Sequence, residues 1–308
     1  MIKYFRIMIL LPLLTCACAG ELTLDLPEEP TRVVVISHFT QAEAMQVNIS
    51  LSQPVYANNT PVLPQNIDVT ISTEGQFFAR LLRRGSSDGK VLFEANKLVA
   101  PEQNYLISVD VPGYPRVQAS SFIPRHIPLS AVTIDNNGIV VQELTGGQKA
   151  LRVPLALKLD ALPANNKYFA FNLRHETEVF EVVNGQMFPD YIYEADTYFL
   201  TDGRTLSLLD NIAEPVVLIN ENYWNDNRRT LYLDALIPFK AETEIPRRIF
   251  IEWRTLSEDF YRYHLSLSRQ GSNQPLSEPD AVYNNVSEGY GNFSGYSVAF
   301  DTIVIPPR

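Results

Sequence analysis

Residues 151–159 read Leu-Arg-Val-Pro-Leu-Ala-Leu-Lys-Leu. Every second residue is a branched aliphatic, and the residues between are small or polar. In a strand, successive side chains point to opposite faces, so a period of two marks a half-buried strand. A helix would repeat near 3.6 and scatter these residues around its circumference. Pro154 cannot donate a ladder hydrogen bond, which points to an edge position or a bulge.

The same period recurs along the chain. Val47, Ile49 and Leu51 alternate with polar residues, as do Ile67, Val69 and Ile71, and then Tyr105, Ile107, Val109 and Val111. Val33 to Ile36 is a continuous apolar run and reads as a strand buried on both faces. Phe169, Phe171 and Leu173 form another strand. So do Leu231, Leu233 and Ala235, and likewise Ile249, Ile251 and Trp253. Turn signals at Asn58-Asn59, Ser86-Ser87-Asp88-Gly89 and Pro112-Gly113 separate the early runs. Short strands between such turns indicate a β-sandwich. Residues 176–230 are less regular and are expected to contain long loops.

One helix is signalled. Thr255-Leu256-Ser257-Glu258 fits a capping box with Thr255 as N-cap. Leu256, Phe260, Tyr263 and Leu267 then fall on one narrow face, and Gly271 can stop the helix. The helix is expected over about 256–270. The fold class is therefore mainly β: an N-terminal immunoglobulin-like β-sandwich, then a second β-rich sandwich domain carrying one C-terminal α-helix. The 308 residues suit about two domains. Pro124 and Pro128 mark an extended connector. The expected domains are 32–127 and 128–308.

The N-terminus has the layout of an export signal. Lys3 and Arg6 precede the apolar run Ile7 to Leu14, then comes Thr15-Cys16-Ala17-Cys18. The run is too short to span a bilayer. A small residue before a cysteine is the layout of a bacterial lipoprotein signal. Ala17 favours Cys18 over Cys16 as the lipidated residue, with palmitate among its acyl chains. Residues 1–17 would be the signal and 18–31 an acidic tether. An ordinary secreted protein cut near Ala19, or an uncleaved anchor, are the alternatives.

Charge and motifs exclude more than they assign. Lys+Arg 25 against Asp+Glu 35 leaves a net charge of −10, which argues against nucleic acid as a partner. Both cysteines lie in the signal region, so no disulfide framework is expected. The sequence holds no G-x-S-x-G elbow, H-E-x-x-H pair, phosphate loop or EF-hand loop. His38, His126, His175 and His264 stand singly. We therefore expect no catalytic residue, no metal and no cofactor. Glu176, Glu178, Glu181, Asp190, Glu194, Asp196 and Asp202 form the one acidic cluster. A calcium site, a glycosidase pair or a solvated face would each use it. Tyr223 and Trp224 are loop aromatics that could stack on a glycan or anchor a peptide.

The C-terminal fifth carries a resemblance. Ser257-Glu258-Asp259-Phe260-Tyr261-Arg262-Tyr263 begins the helix, and Pro275-Leu276-Ser277-Glu278-Pro279 follows. Then come Val282-Tyr283-Asn284-Asn285-Val286 and Gly289-Tyr290-Gly291-Asn292-Phe293-Ser294-Gly295-Tyr296-Ser297. This order resembles an uncharacterised lipoprotein family of the Bacteroidota, domain-of-unknown-function family 4249. Leu24 to Pro27 and Val33 to Val35 fit the family's tether and first strand. Leu276, Asn284 and Glu288 depart from its pattern, the last replacing one glycine of a pair.

The resemblance implies a lipid-anchored, cell-surface outer-membrane protein, often found beside TonB-dependent receptors, with no enzymatic activity. Asn285, Gly289, Gly291, Phe293 and Tyr296 are then candidate partner-binding residues, together with Tyr223 and Trp224. A structural role is the other reading of the motif. The glycines would permit turns, Asn285 would bond backbone groups, and Phe293 and Tyr296 would pack on the helix. The expected function is a receptor accessory or substrate-recruiting partner. The alternatives are a stand-alone glycan- or peptide-binding module and, third, a hydrolase.

Overall fold

The structure is a computed structural model. It describes residues 30–54, 61–144, 146–159, 168–201, 209–211, 216–219, 229–270 and 281–307. The first strands are β1 (Val33–Phe39), β2 (Ala44–Leu51), β3 (Asp68–Thr73), β4 (Gln76–Arg80), β5 (Leu82–Ser87), β6 (Lys90–Leu98), β7 (Asn104–Asp110) and β8 (Val117–Phe122). Next come β9 (Ala131–Ile134), β10 (Val140–Glu143), β11 (Lys149–Lys158), β12 (Phe169–Val183), β13 (Gln186–Asp196) and β14 (Tyr198–Leu200). The order ends with β15 (Leu209–Asn211), β16 (Val217–Ile219), β17 (Thr230–Phe239), β18 (Glu244–Leu256), helix α1 (Glu258–Gln270) and β19 (Tyr290–Val304). All lie in one unit, Thr31–Gln53 with Ala57–Arg308. Of the other unit, Met1–Pro30 with Pro54–Tyr56, only Pro30 and Pro54 are described.

The protein is mainly β, with one helix near its C-terminus. A ten-stranded sheet runs β15-β16-β12-β18-β19-β1-β2-β6-β5, and β13 pairs with β12. A four-stranded sheet, β4-β3-β7-β8, packs on one part of it. Val35, Val47, Ile49 and Phe93 there meet Val69, Ile71, Ile107 and Val109 in one core. A five-stranded sheet, β10-β11-β17-β14 with β9 on β11, packs on the other part. Leu155, Leu157 and Leu233 there meet Phe169, Phe171, Ile251 and Trp253 in a second core. Facing sheets each bury one side, which is why alternate residues are apolar.

The chain passes between cores at Ile123 and Ile127, and Val286 and Phe293 return to the first. Strand β19 belongs to both sandwiches. Its residues 290–295 pair in parallel with Val34–Phe39 of β1. Its residues 296–304 pair antiparallel with Arg248–Leu256 of β18.

Several local expectations are corrected. Val33 and Val35 point into the core, but Val34 and Ile36 are only half-buried, so β1 is not sealed on both faces. Pro154 is neither on an edge nor in a bulge. It pairs with Asp234 of β17, and its other side faces the gap between β10, whose Val140 pairs with Arg152, and β9, whose Ile134 pairs with Leu155. Its carbonyl accepts there from Asp135 N at 3.2 Å, so the missing N–H points into the gap and breaks no ladder bond.

The helix starts later than expected. Thr255 ends in β18, and Ser257 caps the helix by accepting from Phe260 N at 3.3 Å. Its buried face is Phe260, Tyr261 and His264, shifted by one position from the expected stripe.

The connector is clamped onto β18. Trp253 Nε1 donates to Ile127 O at 2.9 Å, and Ile127 N donates to Thr255 Oγ1 at 3.1 Å. Trp253 is fully buried against Phe169, so the bond lies in an apolar setting. Trp253→Phe leaves a buried carbonyl without a donor and a small void. We expect it to lower unfolding free energy by about 2–4 kcal/mol in chemical denaturation.

Candidate functional site

Strand β12 has two neighbours over most of its length. On one edge β18 pairs with it from Phe169 to Val179; on the other are β16 and then β13. Beyond Val179 the β18 partner ends. Only β12 and β13 continue, as a two-stranded arm leaving the sheet. Asn184 (φ 50) and Gly185 (φ 78) form its tip, the two positive-φ residues that a tight hairpin requires. The segment 176–230 is expected to contain long loops, but residues 176–196 within it form a hairpin. The signal was present: Asn184-Gly185 sits between Val182-Val183 and Met187-Phe188.

Both faces of this arm meet solvent. Every residue from 181 to 192 is exposed. Six are apolar: Val182, Val183, Met187, Phe188, Tyr191 and Ile192, between 42% and 58% accessible. A strand packed on one face hides half its side chains; this one hides none.

The base of the arm is held by ion pairs. Arg248 forks onto Glu176 with two bonds of 2.8 Å. Arg247 donates to Glu178 at 2.7 Å, and Arg174 to Glu194 at 2.5 Å. A forked guanidinium–carboxylate bond fixes geometry as well as charge. Three members of the acidic cluster are thus each matched by an arginine. Among the described residues, no group of three His, Cys, Asp or Glu could hold a metal ion.

On the opposite face of β12, His175 is buried with Nδ1 3.1 Å from Thr197 Oγ1. Burial lowers its pKa, and the charge of Asp196 opposes the shift. Burial also raises the Tyr193 hydroxyl, helped by the Glu244 carboxylate.

The C-terminal motif is assembled elsewhere, around the first half of β19. Asn285 bonds Phe293 in both directions, donating to its carbonyl at 2.8 Å and accepting from its N–H at 3.0 Å. Phe293 is fully buried against Phe39, 4.6 Å between ring centres, in the first sandwich rather than on the helix. Tyr296 does pack on the helix, 5.4 Å from Phe260, with the Arg254 guanidinium 4.7 Å from its ring centre. Gly289 leaves space for Val33 O, which a Cβ would approach to 2.6 Å. A Cβ on Gly291 would overlap Val35 O, and one on Gly295 would overlap Phe122 O.

The three glycines thus serve close backbone approach, and of them only Gly291 has a positive φ (123). The left-handed turn falls on Glu288 (φ 57), a residue other than glycine. Asp259 of the helix accepts from Ser121 at 2.9 Å and Tyr283 at 2.7 Å, tying helix, β8 and motif together. Burial and this carboxylate push the Tyr283 hydroxyl up to about 12. Cys18, Tyr223, Trp224 and the Pro275–Pro279 stretch lie outside the described residues. Among the described residues no helix is long and apolar enough to cross a membrane.

Two outcomes follow from this geometry. Glu288→Gly removes a left-handed non-glycine residue and should raise stability by about 0.5–1 kcal/mol, whereas Gly291→Ala should abolish cooperative unfolding; urea titration reads both. His175 and His126 are both held neutral by burial. The unfolded state therefore binds more protons below the ordinary histidine pKa of 6.5. Stability is full above that pH and falls as the solution is acidified. Melting temperature followed across this range should show a weaker acid slope for His175→Asn.

A search of curated proteins returns no match. Among solved structures, a DUF4785 family protein from Legionella pneumophila subsp. pneumophila str. Philadelphia 1 aligns at 13% identity with a TM-score of 0.23. The alignment covers 71% of this chain and 51% of that one, so the chain spans about half the length of that structure. The family model described as Domain of unknown function (DUF4249) matches residues 20–301. The chain belongs to the DUF4249 family.

Proposed function

We propose that this protein is a non-enzymatic binding protein of the bacterial outer membrane, anchored by acyl chains on Cys18. In this reading it is an accessory or substrate-recruiting partner of a TonB-dependent receptor. One observation carries the binding role: the β12–β13 arm holds six apolar side chains in solvent. Contiguous apolar surface of this kind marks interaction sites on folded proteins. The pairing of Glu176, Glu178 and Glu194 with arginines supports a binding role over a hydrolytic one. The anchor rests on the Lys3-to-Cys18 signal layout, and the receptor on the family resemblance.

The test is direct. A C-terminally tagged chain is recovered from native outer membranes in mild detergent, and its companions are identified by mass spectrometry. A stoichiometric TonB-dependent receptor is the expected result. Recovery alone, with crosslinking also negative, would turn the reading to a free-standing glycan- or peptide-binding module. Labelled palmitate should enter the wild-type chain and Cys16→Ala, and fail to enter Cys18→Ala.

A further inference from the structure

Resting on that reading, we infer that the arm docks as a wedge into a cleft of the receptor with apolar walls and a basic rim. Its side chains make the contact; it adds no strand to the receptor's sheet.

The faces of the arm define the cleft. Residues directly opposite across a ladder share a face. Tyr191 opposite Val179 and Phe188 opposite Glu181 lie on one face, with Val183. Ile192 opposite Glu178 and Met187 opposite Val182 lie on the other, with Pro189 opposite Phe180. A flat partner would cover one face and leave the other apolar face in water. An occupant that covers both must surround the arm.

The outer edge of β13 resists strand addition. The register shifts at Val179/Phe180, which leaves Asp190 as an extra, bulged residue. Phe180 N donates away from β13, to Thr243 O at 2.8 Å. The Phe180–Pro189 pair is therefore a non-hydrogen-bonded one, and the proline nitrogen lies on the outer edge. A proline and a bulge there remove the donor and the regular spacing that an added strand needs.

Charge selects the occupant. Residues 175–203 contain no lysine or arginine. Glu181 and Asp190 stand exposed within the apolar stretch, and neither is in an ion pair among the described residues. A second copy would bring acid to acid, and an anionic lipid surface would repel both residues. A protein cleft with lysines or arginines at its rim complements them. The tight tip and the ion-paired base hold the arm in shape beforehand, which reduces the ordering lost on docking.

The experiment uses the full chain in native membranes and measures receptor recovered per tagged chain. One double variant, Val182→Ser with Met187→Ser, alters one face. Another, Phe188→Ser with Tyr191→Ser, alters the other. Melting transitions like that of the wild type confirm folding. We expect each to lose receptor by about tenfold or more, Glu181→Lys with Asp190→Lys to lose it as well, and added salt to weaken wild-type capture. Pro189→Ala, which restores an outward N–H, should leave capture unchanged.

Full retention of receptor by both face variants would overturn the wedge while leaving the accessory role intact. A large gain for Pro189→Ala would overturn it in favour of strand addition. Binding of the wild type to phosphatidylethanolamine–phosphatidylglycerol vesicles, lost in the face variants while receptor capture is kept, would overturn it in favour of lipid. No receptor with the wild type would overturn the accessory reading and the wedge with it.

Discussion

The parallel pairing of β19 with β1 is the contact on which the rest of the molecule depends. It joins residues near the two ends of the chain, Val34 with Tyr290 through Phe39 with Gly295. The same strand then pairs with β18, so one fifteen-residue strand closes the edges of two sandwiches. The pairing is possible because of what is absent at three positions. Gly289, Gly291 and Gly295 carry no Cβ where the backbones of β1 and β8 press against them. Asn285 then holds the incoming segment by bonding the backbone of Phe293 in both directions. The C-terminal motif is the joinery of this strand: Phe293 is fully buried, while Tyr283, Tyr290 and Tyr296 keep part of their surface in solvent.

With the frame fixed there, the arm is free to project. Its ladder continues beyond the point where β18 stops, so its exposure is a result of unequal strand lengths rather than a failure of packing. The three arginine–glutamate pairs at its base are partly exposed, and each on its own contributes little, of order 1 kcal/mol or less. Together they fix where the ribbon leaves the sheet. His175, buried next to Thr197, fills the opposite side of that base without charge.

Much of this was legible in the sequence, and the misses have physical causes. Alternation identified β2, β3, β7, β11, β17 and β18, each of which sends alternate residues into a core, but not β6 or β8. It identified the start of β12 at Phe169 but lost the strand after Leu173, where the buried positions His175 and Thr177 are polar; past Val179 the side chains turn outward and no alternation is imposed. The Asn184-Gly185 turn was the available cue. Pro154 pointed to an edge because sequence does not reveal that β9 and β10 are two short strands with a gap between them. The cap moved from Thr255 to Ser257 because β18 runs on to Leu256 to meet Tyr296. The glycines of the motif read as turn formers, whereas their use is the close approach of β1 and β8, strands far away in sequence. No local pattern encodes such a contact.

The placement of β19 also sets the order in which the molecule can be completed. Synthesis delivers β1 long before β19, with all the other strands and the helix between them. Until the last strand arrives, the edge of β1 that will receive it is unpaired, and so is the matching edge of β18. Contacts of such long sequence separation form slowly, and an open strand edge is a template for wrong pairing with other chains. A chain in which β19 is missing would therefore expose open edges on β1 and β18 at once. Damage to β19 would be felt at β1, because one strand completes both sandwiches.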